Sequence, residues 1–202
     1  MYIPDKYRIE DPRVIREFLE AHSFGLLVCN GPATPMATHL PLELIPGKDP
    51  LELCGHVARA NPQWKHIRDG QEVLCIFQGP HSYVSSSWYR EEEVPTWNYM
   101  AAHVRGVYNV QDADQLRASL DRLVDKYESD SVEPVSLEGF SPATLRQIRG
   151  IIGFTVRVTA VDVAFKLSQG RGEDLNRIIG ELSQRGGLAA AVADAMKKHL
   201  LS

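Results

Sequence analysis

The chain has 202 residues, 44% hydrophobic and 24% charged, with a formal net charge of −4 at pH 7. That length can bury a sizeable core, and the acidic balance excludes a global positive field pulling the chain toward nucleic acid. No apolar run approaches the roughly 20 residues that span a bilayer. The opening MYIPDKYRIEDPR lacks the apolar core of a signal peptide, and Cys29, Cys54 and Cys75 lie in apolar segments without CxxC spacing, so a cytoplasmic protein with reduced, buried thiols is expected.

In chain order, DPRVIREFLEAH (11–22) reads as a helix. Asp11 caps it, Pro12 opens the first turn, and Val14, Ile15, Phe18 and Leu19 form one face. SFGLLVCN (23–30) is an apolar strand, joined through the Asn30-Gly31 turn to PMATHLPLEL (35–44), a strand interrupted by Pro41. LELCGHVA (51–58) is a third strand. Asn61 and Pro62 then read as cap and first residue of a short helix carrying Trp64 toward the core. EVLCIFQG (72–79) is a fourth strand, and TWNYMAAHVRGVYNV (96–110) a long alternating one. DADQLRASLDRLVDKYES (112–129) is the clearest helix, with Leu116, Leu120, Leu123, Val124 and Tyr127 on one face. A short helix follows Ser141-Pro142, then the long strand IIGFTVRVTAVDVAF (151–165), the loop KLSQGRG, and two helices within 171–202. Five or six strands flanked by helices suggest one domain over 1–202, mainly β, built as a closed or half-closed barrel with helical decoration.

Polar and aromatic residues gather at strand ends: THLP (Thr38 to Pro41), GHVARANPQW (Gly55 to Trp64), GPHSYVSSSWY (Gly79 to Tyr89), VPTWNY (Val94 to Tyr99) and KLSQ (Lys166 to Gln169). Cations and hydroxyls beside a helix start suit a phosphate. Trp and Tyr faces with Asn and Gln amides suit a planar heterocycle. A phosphorylated planar cofactor answers both halves. Each residue also has a plain structural role open to it. His39 and His56 read equally as half-buried, satisfied histidines. Locally, Asn61 reads as a helix cap before it reads as a ligand, Ser85 to Ser87 as turn residues, and Lys166 as a solvated lysine. The concentration of clusters is what raises a site. Alternation past Phe77 would put His81, Tyr83 and Ser85 on one face as a pocket lining, with Ser82 and Val84 on the other; Trp88 and Tyr89 would anchor the turn by burial. Other chemistries lack their patterns: there is no HExxH, no GxSxG, no GxGxxG and no basic recognition helix.

The ordered motifs THLP, GHVARANPQW, FQGPHSYVSSSWY, VPTWNY and KLSQ resemble the PaiB-like FMN-binding negative transcriptional regulators, from MYIP to about Leu182. The resemblance implies an FMN-binding split β-barrel, related to the pyridoxamine-phosphate-oxidase flavoproteins, working as a homodimer with flavin at the subunit interface. It also implies a role in repressing sporulation and protease genes in bacilli. Carried over position by position, it implicates Thr38, His39, His56, Arg59 and Asn61, then Thr96, Trp97 and Asn98 on a shared rim, then Lys166, Ser168 and Gln169; Arg59 and Lys166 are the candidates for the phosphate charge. Two positions depart from the pattern: Ser86 stands for the proline of SPSWY, and Gly170 for the asparagine of KLSQN. Direct duplex binding is not expected from the charge. No acid–base pair marks a catalytic reaction, so a flavin would carry any redox chemistry. The alternatives are haem on the same scaffold, or a flavin-dependent oxidoreductase of unknown substrate.

Overall fold

The structure, a computed structural model, describes residues 1–201. The elements are β1 (Arg8–Ile9), α1 (Pro12–Ala21), β2 (Phe24–Asn30), β3 (Pro35–Pro41), β4 (Glu43–Leu44), β5 (Glu52–Ala58), α2 (Gln63–His66), β6 (Glu72–Val84), β7 (Thr96–Val110), α3 (Ala113–Glu128), α4 (Pro142–Leu145), β8 (Ile151–Lys166), α5 (Leu175–Arg185) and α6 (Gly187–Leu200). The sheet is mainly antiparallel, in the order β3-β2-β6-β7-β8-β5-β4, and β1 pairs with β8. No helix among the described residues is long and apolar enough to cross a membrane.

Packing divides the chain into two compact units. The first comprises Met1–Phe18, Phe77–His103 and the chain from Asp162; the second comprises Leu19–Ile76 and Val104–Val161. Strands β6, β7 and β8 each run from one unit into the other along the chain.

In the second unit, β2 lies between β3 and β6, with Leu27 facing both Thr38 and Cys75 in register. Strand β5 pairs with the first half of β8, from Glu52↔Arg157 to Ala58↔Ile151. Its interior holds Leu27, Leu42, Leu53 and Cys75, all 0–1% exposed, and Tyr108 stacked on Phe154 at 5.0 Å between ring centroids. Gly55 sits in a close approach: a Cβ there would come within 2.9 Å of both Leu40 and Phe154, so those side chains would have to shift. Helix α3 opens with a reciprocal capping box, Asp112 accepting from the Gln115 N–H and Gln115 accepting from the Asp112 N–H. Leu116 and Leu120 pack on Leu137. Tyr127, expected on the apolar face, is instead exposed and donates to Glu43 at 2.7 Å, because a hydroxyl at a helix end finds a carboxylate more readily than a core. All three cysteines are free and buried, and burial pushes the Cys75 thiol up to about 12.

In the first unit, Phe18 packs against Phe165 at 5.2 Å, and Ile178, Leu182, Val192 and Met196 of α5 and α6 are fully or nearly fully buried. Strand β6 passes through Gly79-Pro80 without a break and continues to Val84, five residues beyond the expected end. Ser82 and Val84 are buried, while His81, Tyr83 and Ser85 look outward, the grouping expected past Phe77; the buried face nonetheless changes from odd to even positions at Gly79-Pro80, where both residues are buried. Trp88 and Tyr89 are buried at 5% and 6% exposure.

Candidate functional site

The residues singled out from sequence separate into three local environments. In the second unit, two of the candidates, Thr38 and Asn61, form a closed polar network around a residue that sequence reading passed over. Gln63, 1% exposed, donates from Nε2 to the Leu27 carbonyl at 2.9 Å and the Met36 carbonyl at 3.3 Å. Its Oε1 accepts from the Thr38 hydroxyl, and its backbone N–H donates to Asn61 Oδ1 at 2.9 Å. Asn61 Nδ2 completes the ring by donating to Thr38 Oγ1 at 2.9 Å. Thr38 and Asn61 thus tie α2 to β2 and β3. Asn61 lies one residue ahead of the cap: Pro62 takes that place without a side-chain cap bond, and Asn61 instead accepts from the N–H two residues on. Only the Asn-Pro-Gln order hinted at this: a buried glutamine at the first turn of a helix has no periodic signature. Trp64, expected in the core, is half-buried, and its indole N–H donates to the Arg59 carbonyl at 2.9 Å.

Arg59 is exposed and already oriented. Its Nε donates to the Arg149 carbonyl at 2.8 Å and one terminal nitrogen to the Ile151 carbonyl at 3.3 Å. It lines a hollow of about 260 Å³ with Leu116, Ile148 and Ile152. His39 lies exposed on β3, its ring stacked on Phe24 at 6.1 Å. His56 is half-buried, and burial lowers its proton affinity.

In the first unit, an aromatic group occupies the outward face of β6 and β7. Trp97 and Tyr83, 49% and 39% exposed, meet edge-on at 6.2 Å. The Trp97 indole N–H donates to His81 Nδ1 at 3.3 Å, the rings lying 5.8 Å apart, so the indole is held in one orientation. Ser85 turns away from this group. It accepts from the Ser87 N–H at 3.3 Å and caps the 3₁₀ turn Ser86–Trp88.

The other face of β7 lines a cavity of about 570 Å³. Thr96, Asn98, Lys166, Ser168 and Gln169 meet there, joined by Lys6, Tyr7 and Arg171. Lys166 Nζ donates to Thr96 Oγ1 at 2.6 Å. Asn98, with no exposure, donates to Ser168 Oγ at 2.9 Å. Ser168 is held in the left-handed region at φ 64°, the only non-glycine with positive φ among the described residues. Such a conformation costs on the order of 1–3 kcal/mol and persists where surroundings over-determine it. Gln169 folds back, accepting from the Leu167 N–H at 2.8 Å and donating to the Phe165 carbonyl at 2.5 Å. The expected shared rim of Thr96, Trp97 and Asn98 does not form, because alternation sends Trp97 to one face and its two neighbours to the other.

The two first-unit sets have the chemistry of the two halves of FMN. Flat π faces beside an imidazole suit an isoalloxazine ring, and cations with hydroxyls suit a phosphate.

Residues 1–160 match the family model described as "Putative FMN-binding domain". The Bacillus subtilis (strain 168) protein named "Protease synthase and sporulation protein PAI 2" is 38% identical over 207 residues, spanning 99% of this chain and 100% of its own. Among solved structures, the flavocytochrome Anf3 from Azotobacter vinelandii superposes with a TM-score of 0.62 at 14% identity, covering 79% of this chain and 69% of its own. The FAD and heme binding protein from Mycobacterium smegmatis gives 0.60 at 13% identity, covering 79% and 73%. The fold is thus the split β-barrel of flavoproteins with added helices. Family match and motifs agree, and the chain belongs to the PaiB-like FMN-binding family.

Proposed function

We propose that the protein is an FMN-dependent redox or sensor protein that works as a homodimer, with the flavin ring stacked on the Trp97–Tyr83 face. The observation that carries this reading is the half-exposed Trp97, locked by its hydrogen bond to His81. A large aromatic face left open yet held in one orientation is ready to receive a planar ring without further ordering cost. When bound, FMN supplies the electron chemistry. The residues beside it hold and screen the ring: Trp97 stacks, His81 fixes Trp97, and Tyr83 borders it. A second copy covering the same face would bury these aromatics, as isologous pairs commonly do. The regulatory role would then follow from flavin state and assembly rather than from reading DNA directly.

Reconstitution with FMN, followed by an absorption spectrum and light scattering, tests the reading. Flavin bands in the near-ultraviolet and blue and a dimer mass are expected, with Trp97→Ala weakening FMN. A Soret band on purification would replace flavin by haem. A monomer mass with cofactor present would remove the dimer, and unchanged FMN affinity in Trp97→Ala would remove the stacking face.

A further inference from the structure

The Trp97–Tyr83 face sits at the two stems of one connection. Tyr83 is the last residue but one of β6, Trp97 is the second of β7, and SSSWYREEEVP (85–95) joins them. That connection has little structure of its own. Past the 3₁₀ turn Ser86–Trp88, Arg90, Glu91, Glu92 and Val94 are exposed, and only Trp88 and Tyr89 are buried.

A helix from the far end of the chain holds it. Helix α5 buries Ile178, Ile179 and Leu182, and its 11 residues are about 16 Å long. It meets the connection at both ends. At its start, Asp174 stands in the N-cap position but makes no side-chain bond to its own helix. Its carboxylate accepts instead from the Arg90 N–H at 3.1 Å. An N-cap aspartate ordinarily satisfies its own helix, so this one gives up a local bond for a contact 84 positions away. Beside it Glu173 pairs with the Arg90 guanidinium, and Arg171 pairs with Glu93 at 2.5 Å. At the end of α5, the Arg185 guanidinium lies 4.4 Å from the centre of the Trp88 ring and donates to the Tyr83 carbonyl at 3.5 Å. Exposed ion pairs contribute little singly. Here they are made by one helix whose opposite face is seated in the core. Residues 171–185 also lie beyond residue 160, where the FMN-binding domain match ends.

We infer that α5 is a strap across the β6–β7 connection, and that Arg185 is a positioning residue for the flavin ring. It joins the Trp88 anchor to the main chain at Tyr83, whose ring meets Trp97 edge-on at 6.2 Å. The spacing of the two stems, and with it the open Trp97 face, is set from α5. This role rests on the flavin-face reading: Arg185 acts through Tyr83 and Trp88 rather than by touching the ring.

The test compares Arg185→Met, which keeps the stem over Trp88 and removes the charge, with Arg185→Lys, which keeps the charge. In the cofactor-free protein, Arg185→Met should speed hydrogen exchange across 81–97 about two- to fivefold, the effect of losing an exposed cation–π contact. Tm should stay within about 4 °C of the parent. In the FMN-loaded protein the same variant should weaken FMN about two- to fivefold and change the visible circular dichroism of the bound ring. Arg185→Lys should restore part of both. In a Trp97→Ala background, Arg185→Met should cost no further affinity, because the two act through one face. Unchanged exchange across 81–97 in Arg185→Met would overturn the strap. Unchanged affinity and dichroism in the folded, flavin-loaded variant would overturn the positioning role, as would additive losses in the double variant. A failure of the flavin reading shows separately, as missing flavin bands in the parent or full FMN affinity in Trp97→Ala alone.

Discussion

Replacing Gln63 by leucine tests whether Thr38 and Asn61 are structural or ligand-binding residues. The leucine keeps the volume of a side chain that is 1% exposed and removes its four side-chain hydrogen-bond partners, the Leu27 and Met36 carbonyls, the Thr38 hydroxyl and the Cys29 thiol. A typical internal hydrogen bond contributes about 1 kcal/mol, and a buried group left unpaired costs about 1–3 kcal/mol, so the network is worth about 2–4 kcal/mol. At this chain length each kcal/mol moves Tm by about 2–4 °C, giving a fall of about 4–16 °C. Thermal unfolding of cofactor-free protein, followed by circular dichroism, reads the effect without any ligand. The backbone N–H of residue 63 still reaches Asn61 Oδ1, so that turn survives and the loss reports on the side chain. If Gln63→Leu melts with the parent in the absence of FMN but no longer holds FMN, the network is a binding wall and the structural reasoning fails.

Trp88→Ala should lower Tm with or without cofactor, by a loss of about 3–5 kcal/mol for a core aromatic; the ring is 5% exposed and carries Arg185 at 4.4 Å. Tyr83→Phe, at a position 39% exposed, should leave Tm nearly unchanged, and a large drop there would reverse the two roles. Burial holds the proton affinity of His22, His56, His103 and His199 below the ordinary histidine value. The unfolded chain then binds protons more readily, so stability should be full above about pH 6.5 and fall as pH drops toward the lower folded values. A Tm that rises on acidification from pH 7.5 to 5.5 contradicts this. Direct DNA binding should be weak, because Lys197, Lys198 and Arg171 are each paired with a carboxylate, Asp194, Glu17 and Glu93 respectively; phosphate contacts need clustered free cations. A tight, sequence-specific gel shift by the isolated protein at physiological salt would refute it.

The sequence by itself determined the elements whose signal is local. Alternation in TWNYMAAHVRGVYNV made β7, the 3.6-residue spacing from Leu116 to Leu120 made α3, and Asp112 with Gln115 made its cap. Within 81–85, alternation also set His81 and Tyr83 on one face and Val84 on the other, but which face is buried changes at Gly79-Pro80, and that was not legible. The motifs carried the family. What they did not carry was which decorated ends meet. Neighbours such as Thr96 and Trp97 look adjacent in the sequence and face apart in the sheet. Thr96 and Lys166, 70 positions apart, touch. Gln63 became a hub only because β2 and β3 bring two carbonyls to it, and Ser168, left-handed in the loop after β8, has its hydroxyl held by Asn98 of β7, 70 positions away. Long-range pairing decides such contacts. It depends on strand order and on which side chains the core accepts, and neither is written in any short stretch of residues.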